Sequence, residues 1–366
     1  MSRAPDILAV GEIEKMLEAR AASLAAELLP NGRLEGKEWR TSNLADVPNG
    51  SSSLAVHIGG AKAGWWRDFS TGQGGDCLKL VAAVLFRGDL GKAVAWAKSW
   101  LGLDGADPAR LRQVRLEAAA AAETRAASAT EEARRARASA RKRWLMGVPI
   151  AGTIAETYLA GRGIDLRRLG RTPGALRFNP QVQYGYGEGA VIRPAMLAAV
   201  TALSGDHIAT HRTWLKADGS GKAGPEDGIL GKPKKVLGSP EGGHIPLWKG
   251  GCGDMPLRDV PPGTDVYCSE GIEDGLTAAC ADPSLRVICM LALSYLPQLD
   301  LPKQMGWLVI LAQNDPPGSD ADRLLRRAIA AQRERGVKVK VARPPRAAGK
   351  DVNELAQRAL AGAVPA

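Results

Sequence analysis

Cysteine is scarce in this 366-residue chain: there are five (Cys77, Cys252, Cys268, Cys280, Cys289), none in a Cys-x-x-Cys pair and most in apolar runs. That excludes a disulfide framework and speaks against a thiolate zinc site, as expected in a reducing cytoplasm. No stretch approaches the roughly 18 uninterrupted apolar residues of a membrane helix. The opening MSRAPDILAVGEIEKMLEAR carries acids where a secretory leader needs an apolar block, so a cytoplasmic protein with no membrane partner is expected. No GxxxxGK[ST] loop is present, and any helicase activity must come from a separate helicase. What the chain does have is an ordinary globular mixture, 45% apolar and 24% charged, at a length that calls for at least two folded units.

The net charge of +10 is unevenly spread. Residues 1–108 carry −1, 109–143 carry +6, 144–263 carry +4 and 264–366 carry +1. A positive middle suggests a track for a polyanion, and the last part retains acids enough for a metal site. A merely solubilising surface would give the same count.

The chain reads as four parts. Residues 1–105 begin with an amphipathic helix over 10–28 (Ile13, Met16, Leu17, Ala21 and Leu24 on one face), followed by a small sheet and two further helices. Residues 106–143, rich in Ala, Arg and Glu, lack the apolar residues to build a core; they predict a basic helical linker that frays near Ser128 to Thr130. Residues 144–263 form a Gly- and Pro-rich basic α+β unit with strands at 195–203, 207–215 and 245–248. From 264 to 366, apolar strands alternate with helices, which implies an α/β unit with a mostly parallel sheet. Polar groups at the carboxyl ends of such strands converge on one crevice.

In that last unit Glu270 ends the first strand, Asp315 follows the third, and Asp351 follows the fourth. Carboxylates gathered at one edge suit a hard divalent cation that keeps waters for substrate phosphates. An Asp at a strand end is also a common turn or helix cap, and Asp320 reads as the cap of the helix that follows.

SEGIEDGLTAA, LAQNDPPGSDADRLLRRA and GKDVNELA together resemble a Toprim domain, the Rossmann-like metal-binding fold of bacterial primases, topoisomerases and some nucleases. The resemblance covers roughly residues 264–360. It implies that Glu270 acts in metal binding or proton transfer, that Asp274 supports it, and that Glu270, Asp315 and Asp351 hold Mg²⁺ or Mn²⁺. The family's third-strand motif is Asp-x-Asp, but here it reads Gln313, Asn314, Asp315. One lost carboxylate is worth about 4 kcal/mol per unit of cation charge at about 4 Å, before desolvation, so metal affinity should fall.

GKPKKVLGSPEGGHIPLWKG resembles the basic motif preceding the Toprim core in replicative primases. YLAGRGI and ATHRTWLKADGSGKA resemble segments of phage and plasmid primases in the same order. The resemblance implies that Arg212, Lys222, Lys234, Lys235 and Lys249 contact template or nucleotide phosphates. SLAVHIGGAKAGWWRDFSTGQGGDCLKLVA looks like the ribbon domain that opens these primases, in a version without zinc. Packing by Trp39, Trp65, Trp66 and Phe69 would then replace the metal, with Trp65 or Trp66 left to stack on a base. The implied activity is that of a mobile-element DNA primase, acting on single-stranded DNA with nucleoside triphosphates. A non-catalytic nucleic-acid-binding replication module and a Toprim nuclease remain open beside it.

Overall fold

The computed structural model describes residues 9–47, 52–105 and 108–362. It forms two compact units, divided between residues 132 and 133. The junction expected at residues 105 and 106 abuts residues 106 and 107, which lie outside the described residues.

The first unit opens with α1 (Val10–Ala19) and α2 (Ala21–Leu28) where one helix was expected. The break is at Arg20, whose φ of −115° and ψ of 23° leave the helical region. An antiparallel sheet follows in chain order: β1 (Arg33–Glu35), β2 (Glu38–Thr41), β3 (Leu54–His57), β4 (Trp66–Asp68) and β5 (Gly74–Gly75). Helices α3 (Cys77–Leu85) and α4 (Leu90–Trp100) are each started by an aspartate, Asp76 and Asp89, whose carboxylates accept the N–H of Lys79 and Lys92. Ile13, Leu17, Leu24, Leu54, Trp66, Leu80 and Val81 share the core of this unit. Helix α5 (Pro108–Leu145) is unbroken at Ser128 to Thr130, contrary to the expected fraying. The hydroxyls of Thr124 and Thr130 bond back to the carbonyls of Ala120 and Ala126, both at 2.9 Å, so the helix absorbs them.

The second unit contains two sheets. One is antiparallel, in the order β10-β9-β8-β7-β6, built from β6 (Val148–Pro149), β7 (Leu176–Tyr184), β8 (Val191–Thr201), β9 (His207–Trp214) and β10 (Lys234–Gly238), with α6 (Ile154–Gly161) between β6 and β7. The other has the order β11-β13-β12-β14-β15, with strands β11 (Ile245–Trp248), β12 (Val266–Ser269), β13 (Arg286–Cys289), β14 (Trp307–Leu311) and β15 (Lys338–Ala342). Four of its strands are parallel; β11 is an antiparallel edge on β13, although its sequence position groups it with the preceding α+β segment.

Helix α7 (Ile272–Ala281) lies between the sheets and is buried along nearly its whole length. Its Ile272, Leu276 and Ala279 join Leu176, Phe178, Met196 and Val200 of the antiparallel sheet and Val287 and Cys289 of β13 in one core. The approach needs Gly275: a Cβ there would lie 2.4 Å from Leu247 Cδ1 and 2.6 Å from Ser269 Oγ. Helix α8 (Asp320–Glu334) covers the other face of the parallel sheet with Leu325 and Ala328. Its cap is Ser319, not Asp320; the hydroxyl accepts the Asp322 N–H. Helix α9 (Val352–Leu360) ends the described chain, and no helix among the described residues is long and apolar enough to cross a membrane.

Candidate functional site

The chain leaves β12 for β13 on one side and returns to β14 on the other, so strand order reverses beside β12. Open parallel sheets place a crevice outside the carboxyl ends of their strands at such a reversal. Glu270 follows β12, and Gln313, Asn314 and Asp315 follow β14, so both expected carboxylates stand at this edge. Partial burial pushes the proton affinity of Glu270 up; a hydrogen bond from the Leu293 N–H opposes it, Asp315 adds to it, and Lys234 and Lys350 lower it. Leu291, just before the Leu293–Gln298 turn, has φ of +70°, a strained conformation for leucine that redirects the chain after β13. The Cys289 thiol donates to the Glu270 carbonyl at 3.2 Å, and burial pushes its pKa up to about 12, so it keeps that proton.

Lys350, which sequence reasoning missed, lies 3.9 Å from Asp315. Asn314 explains its position. The Asn314 N–H bonds the Lys350 carbonyl at 2.7 Å, and its side-chain amide bonds the carbonyls of Pro344 and Gly349, both at 2.9 Å. The middle residue of the Gln-Asn-Asp motif therefore fastens the Gly-Lys-Asp segment to the end of β14.

The expected trio of metal ligands does not assemble. Among the described residues no group of three or more His, Cys, Asp or Glu is placed to hold a metal. Asp351 is diverted: its carboxylate caps α9 by accepting the Glu354 N–H at 2.8 Å, and its field falls on Asp274. Burial, followed by Asp351, pushes Asp274 up to about 6, against a 3.0 Å hydrogen bond from the Asn353 N–H. The acids thus form two pairs, Glu270 with Asp315 and Asp274 with Asp351. The first pair fits a hard cation, because Mg²⁺ takes one or two carboxylates and keeps waters, and Asp315 adds to the raised proton affinity of Glu270. Gln313 offers a neutral carbonyl in place of the missing acid.

The five basic residues split three ways. Lys234 pairs with Thr213 across β10 and β9, and the next pair, Lys235 and Arg212, points to the opposite face. Lys234 and Lys222 face α7, where they reach Glu273 at 3.5 and 2.8 Å. Lys235 sits 3.6 Å from the Tyr184 ring centroid and Arg212 4.9 Å from that of Trp214, on the far side of the sheet. Arg212 and Lys235 therefore do not face the crevice with the other two. Lys249 is also displaced: Ile245 pairs with Cys289 but Trp248 pairs with Val287, so antiparallel β11 carries Lys249 toward the amino ends of the parallel strands. There it reaches the Asp254 carbonyl at 2.6 Å.

Glu273, also missed from the sequence, is 6% exposed. Burial would raise its pKa, but Lys234, Lys222 and a 2.6 Å hydrogen bond from the Tyr158 hydroxyl outweigh that and hold it well below the usual carboxylate range. Burial lowers the pKa of Lys222, with Glu273 opposing. His211, on the same face of β9, is pushed down to about 4 by burial and then by Lys234, and stays neutral.

In the first unit Trp65 is 58% exposed and Trp66 only 4%. Trp66 opens β4 and belongs to the core of this unit, so it cannot stack on a base. Trp39 also packs inward, donating its indole N–H to the Leu29 carbonyl at 2.9 Å, while Phe69 is exposed between Arg40 and Arg67.

Residues 265–362 match the family model of the Toprim domain, and residues 134–247 match a domain of unknown function, DUF7146. The parallel-sheet part of the chain is a Toprim domain. No curated protein matches the chain. Among solved structures it is similar to the zinc-binding and RNA polymerase domains of the Aquifex aeolicus primase, at 15% identity over 95% of this chain and 82% of that one, TM-score 0.40. A DNA primase domain from Pseudomonas aeruginosa is similar at 14% identity, over 61% of this chain and 74% of that one, TM-score 0.41. The primase fragment of the bacteriophage T7 primase-helicase is similar at 18% identity, over 56% and 69%, TM-score 0.34.

Proposed function

We propose that this chain is a primase of mobile-element type, a cytoplasmic nucleotidyltransferase that makes short primers on single-stranded DNA and leaves unwinding to a separate helicase. The observation that carries this reading is the pair Glu270 and Asp315 at the strand reversal, within the field of Lys234 from the neighbouring sheet. Glu270, Asp315 and the Gln313 carbonyl would hold Mg²⁺ or Mn²⁺, which supplies charge neutralisation at the reacting phosphate. Lys234 and Lys222 bind the triphosphate of the incoming nucleotide. Glu270, with its raised proton affinity, is suited to accept the proton of the attacking 3′-hydroxyl. That oxygen attacks the α-phosphorus and pyrophosphate leaves. Trp65 offers an exposed indole on which a template base stacks.

The test is primer synthesis from labelled nucleotides on single-stranded DNA with Mg²⁺ or Mn²⁺, wild type beside Glu270→Gln. Primers that vanish in the variant support the reading. The neutral Gln313 favours a second one, a non-catalytic nucleic-acid-binding replication module. Absence of primers under either metal, unchanged by Gln313→Asp, would support that module, and Glu270-dependent cleavage of the template would support a Toprim nuclease.

A further inference from the structure

The lysines assigned to the triphosphate do not stand alone. Three elements send a polar group to one carboxylate: Lys222 from the β9–β10 connection at 2.8 Å, Lys234 from β10 at 3.5 Å, and the Tyr158 hydroxyl from α6 at 2.6 Å. That carboxylate, Glu273, has no part in the chemistry proposed above. Its side chain is 7% exposed, against 30% for Lys222 and 38% for Lys234, so the acid lies deepest and both lysine side chains keep part of their surface open to solvent. Lysine is a flexible point charge with a large rotamer entropy, which a ligand must otherwise quench when it binds. Two lysines that share one buried acid are already ordered, and together they retain one positive charge beyond what Glu273 neutralises.

We infer that Glu273 is a positioning residue: it holds Lys222 and Lys234 as a fork of two ammonium groups for a nucleoside triphosphate and stays bound to them when the triphosphate is in place. The ligand rests on the primase reading, but the test does not require primer synthesis. Pure electrostatics makes the opposite prediction, because an acid beside a polyanion site repels the ligand and its removal should tighten binding.

The experiment is calorimetric titration of the full chain with ATP and Mg²⁺, without template, for wild type, Glu273→Gln, Glu273→Asp and Tyr158→Phe. Glu273→Gln should weaken binding about tenfold or more, the scale of a lost charge-assisted contact, and Glu273→Asp should recover part of it. Tyr158→Phe, which removes one hydrogen bond and keeps the ring, should weaken binding about two- to threefold. Equal or tighter binding by a folded Glu273→Gln overturns the inference, and so does a wild type that binds no ATP. If Glu273→Gln does not fold, Glu273→Asp and Tyr158→Phe decide by the same sign. ATP binding that responds to Glu273 in a chain that makes no primers would sink the primase reading and leave the fork standing; primers together with indifferent binding would do the reverse.

Discussion

Glu270 and Glu273 leave the same strand-to-helix junction and carry opposite electrostatics. Glu273 is the more deeply buried, yet it is held ionised because two lysines and a tyrosine hydroxyl converge on it. Glu270 is partly open to the crevice, yet burial and Asp315 raise its proton affinity beyond what Lys234 and Lys350 offset. Asp274, next to Glu273, is raised for the same kind of reason, its neighbour being another acid. Partners rather than depth decide which acid stays charged. Glu270 lies at the carboxyl edge of the parallel sheet, beside the strand reversal, and Glu273 lies where two sheets and a helix must fit.

Glu270→Gln should produce the largest effect, a loss of about 10³ in primer yield if its carboxylate is worth about 4 kcal/mol to a bound cation, read on labelled primers. The same variant should melt no lower than wild type, since it removes an acid that burial disfavours. Glu273→Leu should show the inverse, a loss of about 2–3 kcal/mol in denaturant unfolding, below the full buried-pair cost because both lysines are about one-third exposed. That loss should shrink as pH falls below about 4.5, because an acid whose folded pKa is depressed stabilises above its unfolded value and less as it is protonated.

Asp274→Asn separates the neighbours by sign. The folded pKa of Asp274 is raised, so its ionised form weakens the fold progressively from pH near 3.8 to about 6 and constantly above. The asparagine variant should gain about 2 kcal/mol over wild type at pH 7 and nothing below pH 4, measured by unfolding at both values. Lys350→Ala is the smallest change: the side chain is 60% exposed and 3.9 Å from Asp315, so stability should move by less than about 0.5 kcal/mol. A larger loss would mean that Lys350 already satisfies the crevice, and the contrast with Glu273 would fail.

Much of the parallel sheet was legible, because strands buried on both faces read as apolar runs and their ends mark themselves with polar residues. Glu270 and Asp315 followed from that pattern. The basic residues did not, for a period-two reason: Lys234 and Lys235 are adjacent in the chain and on opposite faces of β10. Lys249 was misplaced because nothing local shows that β11 runs antiparallel at the edge of the second unit's other sheet. Asp351 was read as a ligand, but its carboxylate accepts the Glu354 N–H three residues on and caps α9.

The sequence alone determined which residues end the apolar strands, since hydrophobic burial acts over a few neighbours and leaves its period in the chain. Only tertiary structure decided what those residues meet. Tyr158 is 115 positions from Glu273 and Lys234 is 39, and the three share a site because two sheets close on α7. Coulomb forces and hydrogen bonds act through a few ångströms of space, which separation along the chain does not encode.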